Sequence, residues 1–120
     1  MRYVAGMKLL AVLMIWLAAA GAARADWVQI TRDDAITAAL SEVEILYDSG
    51  ASQRFHASGR TFYDDARPSW GYWRAEGGQY CSQWPPSDHW ACYDLFTDGT
   101  GALRFAGSAG DAYIGRPVAP

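Results

Sequence analysis

The sequence predicts an α+β domain that is mainly β: one N-terminal helix followed by a six- to eight-strand antiparallel meander, either a curved sheet or a small, partly open barrel, with one disulfide. Three observations predict it. Apolar residues recur at helical spacing only over Ile36, Leu40 and Val43. From Val43 onward they alternate in twos, and Ser49-Gly50, Ser58-Gly59, Gly77-Gly78 and Asp98-Gly99 cut the chain into short strand-sized runs. Only two cysteines are present, Cys81 and Cys92, both inside an aromatic-rich stretch.

The first 25 residues read as an export signal: Arg2 and Lys8, an apolar run from Leu9 to Ala20, then Ala23-Arg24-Ala25 as the small-residue pattern before a cut after Ala25. The run is shorter than the roughly 18 to 20 residues of a spanning helix, so no stable membrane span is expected after cleavage. Residues 26–120 then form a single small domain, with 107–120, rich in Gly, Ala and Pro, expected as a flexible tail. That domain keeps seven arginines against thirteen acids, a net charge near −6. Nucleic-acid binding rests on neutralising phosphates, so the balance argues against it, as it does against an anionic membrane surface. Two cysteines in an exported chain are most simply one disulfide.

Taken in order, residues 26–30 are a short lead-in. Thr31 has the look of a helix cap, with Asp33 and Asp34 in the first turn and a capping-box spacing to Asp34. Val43, Ile45 and Tyr47 make the first strand. Gln53 to Ala57 and Arg60 to Asp64 pair around Ser58-Gly59, a register that sets Phe55 opposite Phe62 and His56 opposite Thr61, with His56 on the face away from Phe62. The Gly77-Gly78 turn pairs Ala75 with Tyr80, Trp73 with Ser82 and Gly71 with Trp84, the glycine making room for an indole. Past Pro85-Pro86 the next strand sets Cys92 beside Cys81 and Tyr93 beside Tyr80. After Asp98-Gly99, Leu103 returns opposite Leu95, and Tyr113 to Gly115 adds at most a frayed edge strand.

The chemistry-bearing residues crowd into residues 70–94, which hold four of the six tryptophans, one of the two histidines and both cysteines. Metal binding is not expected, because Cys81, His89 and Cys92 lack zinc-ligand spacing and oxidised cysteines do not ligate. No cofactor is indicated. Asp98-Gly99 is a turn, since the further oxygen ligands and terminal glutamate of a calcium loop are missing. A small hydrolase using His89 with a neighbouring Asp or Ser is one alternative, but no nucleophile motif accompanies it and no catalytic residue is assigned. The leading reading is a non-catalytic binding domain whose site is Trp84, His89 and Trp90 with Arg74, Tyr72 and Trp70. Large rigid rings beside a few polar groups suit a glycan, a peptide or an envelope protein. A structural envelope factor with the same rings in its core is the other alternative.

At Gly59-Arg60-Thr61-Phe62-Tyr63, Gly71-Tyr72-Trp73-Arg74, Tyr80-Cys81-Ser82-Gln83-Trp84-Pro85-Pro86 and Cys92-Tyr93 the chain resembles small exported bacterial proteins of unknown function. The resemblance implies a periplasmic β domain bridged from Cys81 to Cys92 and carries no activity or ligand. A further likeness is to periplasmic lysozyme inhibitors, small disulfide-bearing β-barrels with a Ser-Gly-x-x-Tyr motif. Here Ser58-Gly59-Arg60-Thr61-Phe62 has Phe in place of that Tyr, and residues 26–120 contain no lysine for the second motif.

The disulfide is testable without a structure. Unfolded, unreduced protein is expected to show no titratable thiol, and reduction to lower stability by about 2 to 3 kcal/mol through the entropy of the opened loop; two reactive thiols before reduction would overturn the pairing.

Overall fold

The structure is a computed structural model that describes residues 26 to 119. The expected export signal therefore lies outside the described residues. Within them the chain is mainly β: β1 (Val28–Ile30), α1 (Asp33–Leu40), β2 (Val43–Tyr47), β3 (Ser52–Phe55), β4 (Arg60–Asp64), β5 (Pro68–Glu76), β6 (Gln79–Gln83), β7 (Trp90–Thr97), β8 (Leu103–Gly107) and β9 (Ala112–Pro117). Strands β2 to β9 pair each with the next, all antiparallel, and β9 pairs back onto β2, which closes an eight-strand barrel. The extra strand β1 takes up the edge of β7 at Leu95 to Thr97, beyond the point where β6 stops pairing at Tyr93. Closure leaves no long unpaired edge, the standing hazard of an open sheet.

The helix plugs one end. Ile36 and Leu40, four residues apart on one face, are fully buried and join the barrel core, while α1 packs on β5 and β6. Its start differs from the sequence expectation. Arg32, not Thr31, is the capping residue and supplies no side-chain cap. Asp33, in the first turn, accepts the backbone N–H of Gly78 at 2.7 Å, tying the helix to the β5–β6 turn. The helix is fixed by what it docks on more than by its own cap.

The core centres on Phe55, which has no solvent exposure. Its ring meets Trp73 and Tyr80 edge-on, with centroids 5.7 and 5.6 Å away, and stacks near-parallel on Phe105 at 6.3 Å. These rings come from four strands around the barrel, so one cluster holds the walls together. Ile45, Leu95 and Leu103 complete the inner layer.

Register follows the sequence reading in the middle of the chain and departs from it on either side. Ala75↔Tyr80, Trp73↔Ser82, Tyr80↔Tyr93 and Cys81↔Cys92 pair as expected, and the disulfide joins Cys81 to Cys92 with Cα atoms 4.0 Å apart. Gly71 does make room for an indole: a β-carbon there would lie 2.8 Å from Cε3 of Trp84. The β3–β4 hairpin is different. His56 N–H donates to the Arg60 carbonyl and Gly59 N–H to the His56 carbonyl, so the turn is Ala57-Ser58-Gly59, one residue longer than expected, with Gly59 at φ +94°. One residue exchanges the two faces of a strand. Phe55 therefore opposes Thr61, which is buried, while Phe62 opposes Arg54 and points outward, with the His56 ring edge-on to it at 5.4 Å. At the β7–β8 hairpin the pairs are Leu95↔Phe105 and Thr97↔Leu103, a shift of two residues that keeps each side chain on its expected face. There the Asp98 carboxylate accepts the Thr100 hydroxyl and the N–H groups of Thr100 and Ala102, and these hydrogen bonds hold it below the usual carboxylate range.

The largest correction concerns residues 107–120, expected as a flexible tail. Ala112–Pro117 is a strand hydrogen-bonded on both sides, to β8 and to β2, and it is the element that closes the barrel. Gly115 permits this, because a β-carbon there would overlap the buried Ile45 side chain. The glycine read as a sign of looseness is a close-approach position.

Phe55→Ala removes the ring that all four walls share and is expected to cost about 3 to 5 kcal/mol in chemical denaturation. A loss below about 1 kcal/mol would mean that the cluster does not hold the barrel.

Candidate functional site

The strand alternation of β5 sends Trp70, Tyr72 and Arg74 outward and Gly71, Trp73 and Ala75 inward. The expected site residues accordingly fall into two groups, on opposite sides of one wall.

The outer group lies across β4 to β7. Cross-strand pairs set Phe62 beside Trp70, and a row runs Arg60↔Tyr72↔Gln83↔Trp90. The Arg60 guanidinium lies 4.3 Å over the Trp70 ring and 6.0 Å from that of Phe62. Arg74 reaches across β6 to sit 3.9 Å over Trp90 and pairs with Glu76 at 2.9 Å. Beneath that stack Cys81, on the outward side of β6, is only 1% exposed. Phe62, Trp70 and Tyr72 stay 44%, 41% and 38% exposed, with Trp70 and Tyr72 edge-on at 5.5 Å. Trp70, Tyr72, Arg74 and Trp90 thus lie together on this face. Phe62 and Arg60 join them and were missed. Arg60 two residues earlier was the signal, because a strand that turns an arginine outward turns the residue two places on outward too.

The second group is inside. Trp84 folds over Gly71 into the barrel mouth opposite the helix, its indole N–H donating to Ser82 Oγ at 3.2 Å and its ring edge-on to Tyr63 at 6.1 Å. There it lines a cavity of about 360 Å³ whose other walls include Tyr47, Gln53, Tyr63, Tyr93 and Tyr113. At its floor the Tyr47 hydroxyl donates to Gln53 Oε1 at 2.6 Å, and Gln53 Nε2 donates to Thr61 Oγ1 at 2.9 Å and to Tyr80 Oη at 3.1 Å. No buried side-chain polar atom among the described residues lacks a partner. These cavity residues were read from the sequence only as strand positions. Their shared signal is tyrosine at inward places along β2, β4, β6, β7 and β9, which becomes a cavity only once the barrel is known to close.

His89 belongs to neither group. It is exposed in the loop that follows the cis Pro85–Pro86 peptide, its backbone N–H donates to Ser87 Oγ at 3.2 Å, and among the described residues no ring stacks on it. The expected Trp84, His89 and Trp90 cluster is therefore not one site: Trp84 points in, Trp90 points out, and the loop between them is closed by Gln83 Nε2 on the Asp88 carbonyl. Among the described residues no group of three or more His, Cys, Asp or Glu side chains could hold a metal ion.

Burial governs the cavity's electrostatics. It pushes Tyr80 up to about 12, partly offset by the hydrogen bonds of Ser82 and Gln53, and drives Tyr47 above the ordinary tyrosine range. Tyr63 is raised by burial and then by Asp65, and Tyr93 by burial and then by Tyr113 and Asp111. All these phenols are neutral across the physiological range. No family model, curated protein or solved structure matches the chain. Among the described residues no helix is long and apolar enough to cross a membrane.

A phenol held protonated by the fold contributes stability that is complete below its unfolded pKa and is lost as pH rises through the folded one. For Tyr80 that window runs from about 10 to about 12. Alkaline titration followed by tyrosinate absorbance and denaturant midpoint is expected to show stability falling there, with a smaller fall in Tyr80→Phe. An identical fall in that variant would remove Tyr80 as its source.

Proposed function

We propose that the chain is a non-catalytic, exported binding domain that docks a protein partner on the outer face of β4 to β7. The observation that carries this reading is the row of exposed Phe62, Trp70 and Tyr72 with Arg60 and Arg74 stacked on neighbouring indoles. Tryptophan, tyrosine and arginine are the residues that dominate protein–protein hot spots. A sugar ring would need a bare aromatic face, whereas here guanidinium groups cover faces of Trp70 and Trp90 and Tyr72 meets Trp70 edge-on. Arg60 forms no salt bridge among the described residues, and a partner's carboxylate or carbonyl oxygen would complete its hydrogen bonding.

The leader pattern supports an exported compartment, and so does the disulfide, since disulfides persist where the surroundings are oxidising. The resemblance to small exported bacterial proteins agrees with it and covers the same hairpin. A site on a closed barrel wall is held rigid by ladders on both sides, so docking needs little ordering of the domain itself.

The test is affinity capture from an envelope extract followed by calorimetry on the purified partner. Trp70→Ala is expected to weaken binding about thirtyfold, a loss of about 2 kcal/mol, with little change in stability. A captured protein that binds Trp70→Ala and Tyr72→Ala as tightly as the parent would refute this face as the docking surface.

A further inference from the structure

The cavity at the barrel mouth is separate from the outer face and has its own chemistry. Its volume, about 360 Å³, sits at the small end of the roughly 300 to 1,000 Å³ range of ligand pockets. It is lined by aromatic rings and hydroxyls and by no ionisable acid, lysine, arginine or histidine. We propose that it is a binding site for a small uncharged aromatic molecule bearing a hydrogen-bonding group at one end.

Each part of that description follows from the walls. An ion entering would lose hydration and meet no opposite charge, so burying it would be costly. The phenols supply no charge either, because a tyrosine hydroxyl is protonated near neutral pH and burial raises those of Tyr47, Tyr63, Tyr80 and Tyr93 further. A flat ring is favoured over an aliphatic chain because the walls are rings set at angles: Trp84 against Tyr63 at 74°, and Tyr93 against Tyr113 at 73°. A guest ring between such pairs gains the edge-to-face and offset contacts that aromatic groups prefer.

The polarity is graded with depth. The floor hydrogen bonds are already spent among Tyr47, Gln53, Thr61 and Tyr80, so the inner end of the ligand meets satisfied groups and ring surface. Nearer the mouth, the hydroxyls of Tyr63, Tyr93 and Tyr113 form no side-chain hydrogen bond among the described residues. They can donate to, or accept from, a polar group at the ligand's outer end. A polyhydroxylated sugar would bring several hydroxyls to the floor as well, where Gln53 has both amide N–H groups committed to Thr61 and Tyr80 and most of the remaining wall is ring surface.

Naphthol is the probe, with naphthalene sulfonate, a similar ring carrying a fixed charge, as the counter-probe. Naphthol is expected to quench tryptophan fluorescence saturably, and naphthalene sulfonate to bind weaker by at least about tenfold. Ser69→Phe places a ring at the exposed rim of the cavity without touching the core and is expected to weaken naphthol by about tenfold or more, as is Trp84→Ala. Trp70→Ala, which removes an outer ring, is expected to leave naphthol binding unchanged, so failure of the outer docking face and failure of the cavity are read separately. No saturable response to naphthol, equal or tighter binding of the sulfonate, or naphthol binding insensitive to Ser69→Phe in a variant with native near-ultraviolet dichroism would each overturn the proposal.

Discussion

The contact on which the rest of the structure depends is the meeting of Phe55 with Trp73, Tyr80 and Phe105 across the middle of the barrel. A small barrel has room for one layer of large side chains, and these four fill it from β3, β5, β6 and β8. Above that layer the helix supplies Ile36 and Leu40, and the interior is apolar. Below it no helix among the described residues covers the opening, and Gln53, buried to 5% exposure, hands the interior over to hydroxyls and then to the cavity. Tyr80 belongs to both halves, its ring in the cluster and its hydroxyl on Gln53. The polar side chains at the floor are tolerable in a barrel interior only because each has a partner.

Most of this arrangement was legible where contacts are local. A two-glycine turn at Gly77-Gly78 fixes the β5–β6 register by counting, and the Cys81–Cys92 pair then fixes β7 beside β6. The class, one helix and a meander, follows from the change of apolar period at Val43. What failed did so for two physical reasons. Turn length at residues 57–59 depends on Gly59 adopting positive φ, which composition permits without requiring, and one residue there decides whether Phe62 is core or surface. Barrel closure is a contact between the ends of the domain, Ile45 to Tyr47 with Gly115 to Pro117, and no local pattern announces it. Gly115 reads as a loop signal until its neighbour is known to be Ile45.

The candidate sites show the same division. Trp70, Tyr72, Arg74 and Trp90 share one face through strand alternation and cross-strand pairing, and their stacking needs no closure of the barrel. The cavity required it: Tyr47 meets Tyr63, and Tyr93 meets Tyr113, across single strands of the meander, but only β9 lying between β8 and β2 brings the two pairs around one opening and sets Tyr47 against Phe105. Trp84 marks the boundary. It was grouped with His89 and Trp90 as one site, yet Gly71 opposite it leaves the space into which an indole folds. The missing side chain at Gly71, more than the loop, decides where that ring goes.

Strand β5 is therefore the common wall of two surfaces with opposite chemistry. Its outward residues Trp70, Tyr72 and Arg74 carry rings and cation stacks into solvent, while its inward residues Gly71 and Trp73 shape the cavity rim and the core. Such a wall can hold both without compromise because a strand's two faces are chosen independently, residue by residue. It is also held from both edges, by β4 over five pairs and by β6 over five, and through β6 by the disulfide to β7. A substitution that changes one face leaves the ladder intact, so the two surfaces can diverge separately under the same fold. A shift in register would exchange them, and the Gly77-Gly78 turn and the Cys81–Cys92 bridge on either side of β6 are placed to prevent it.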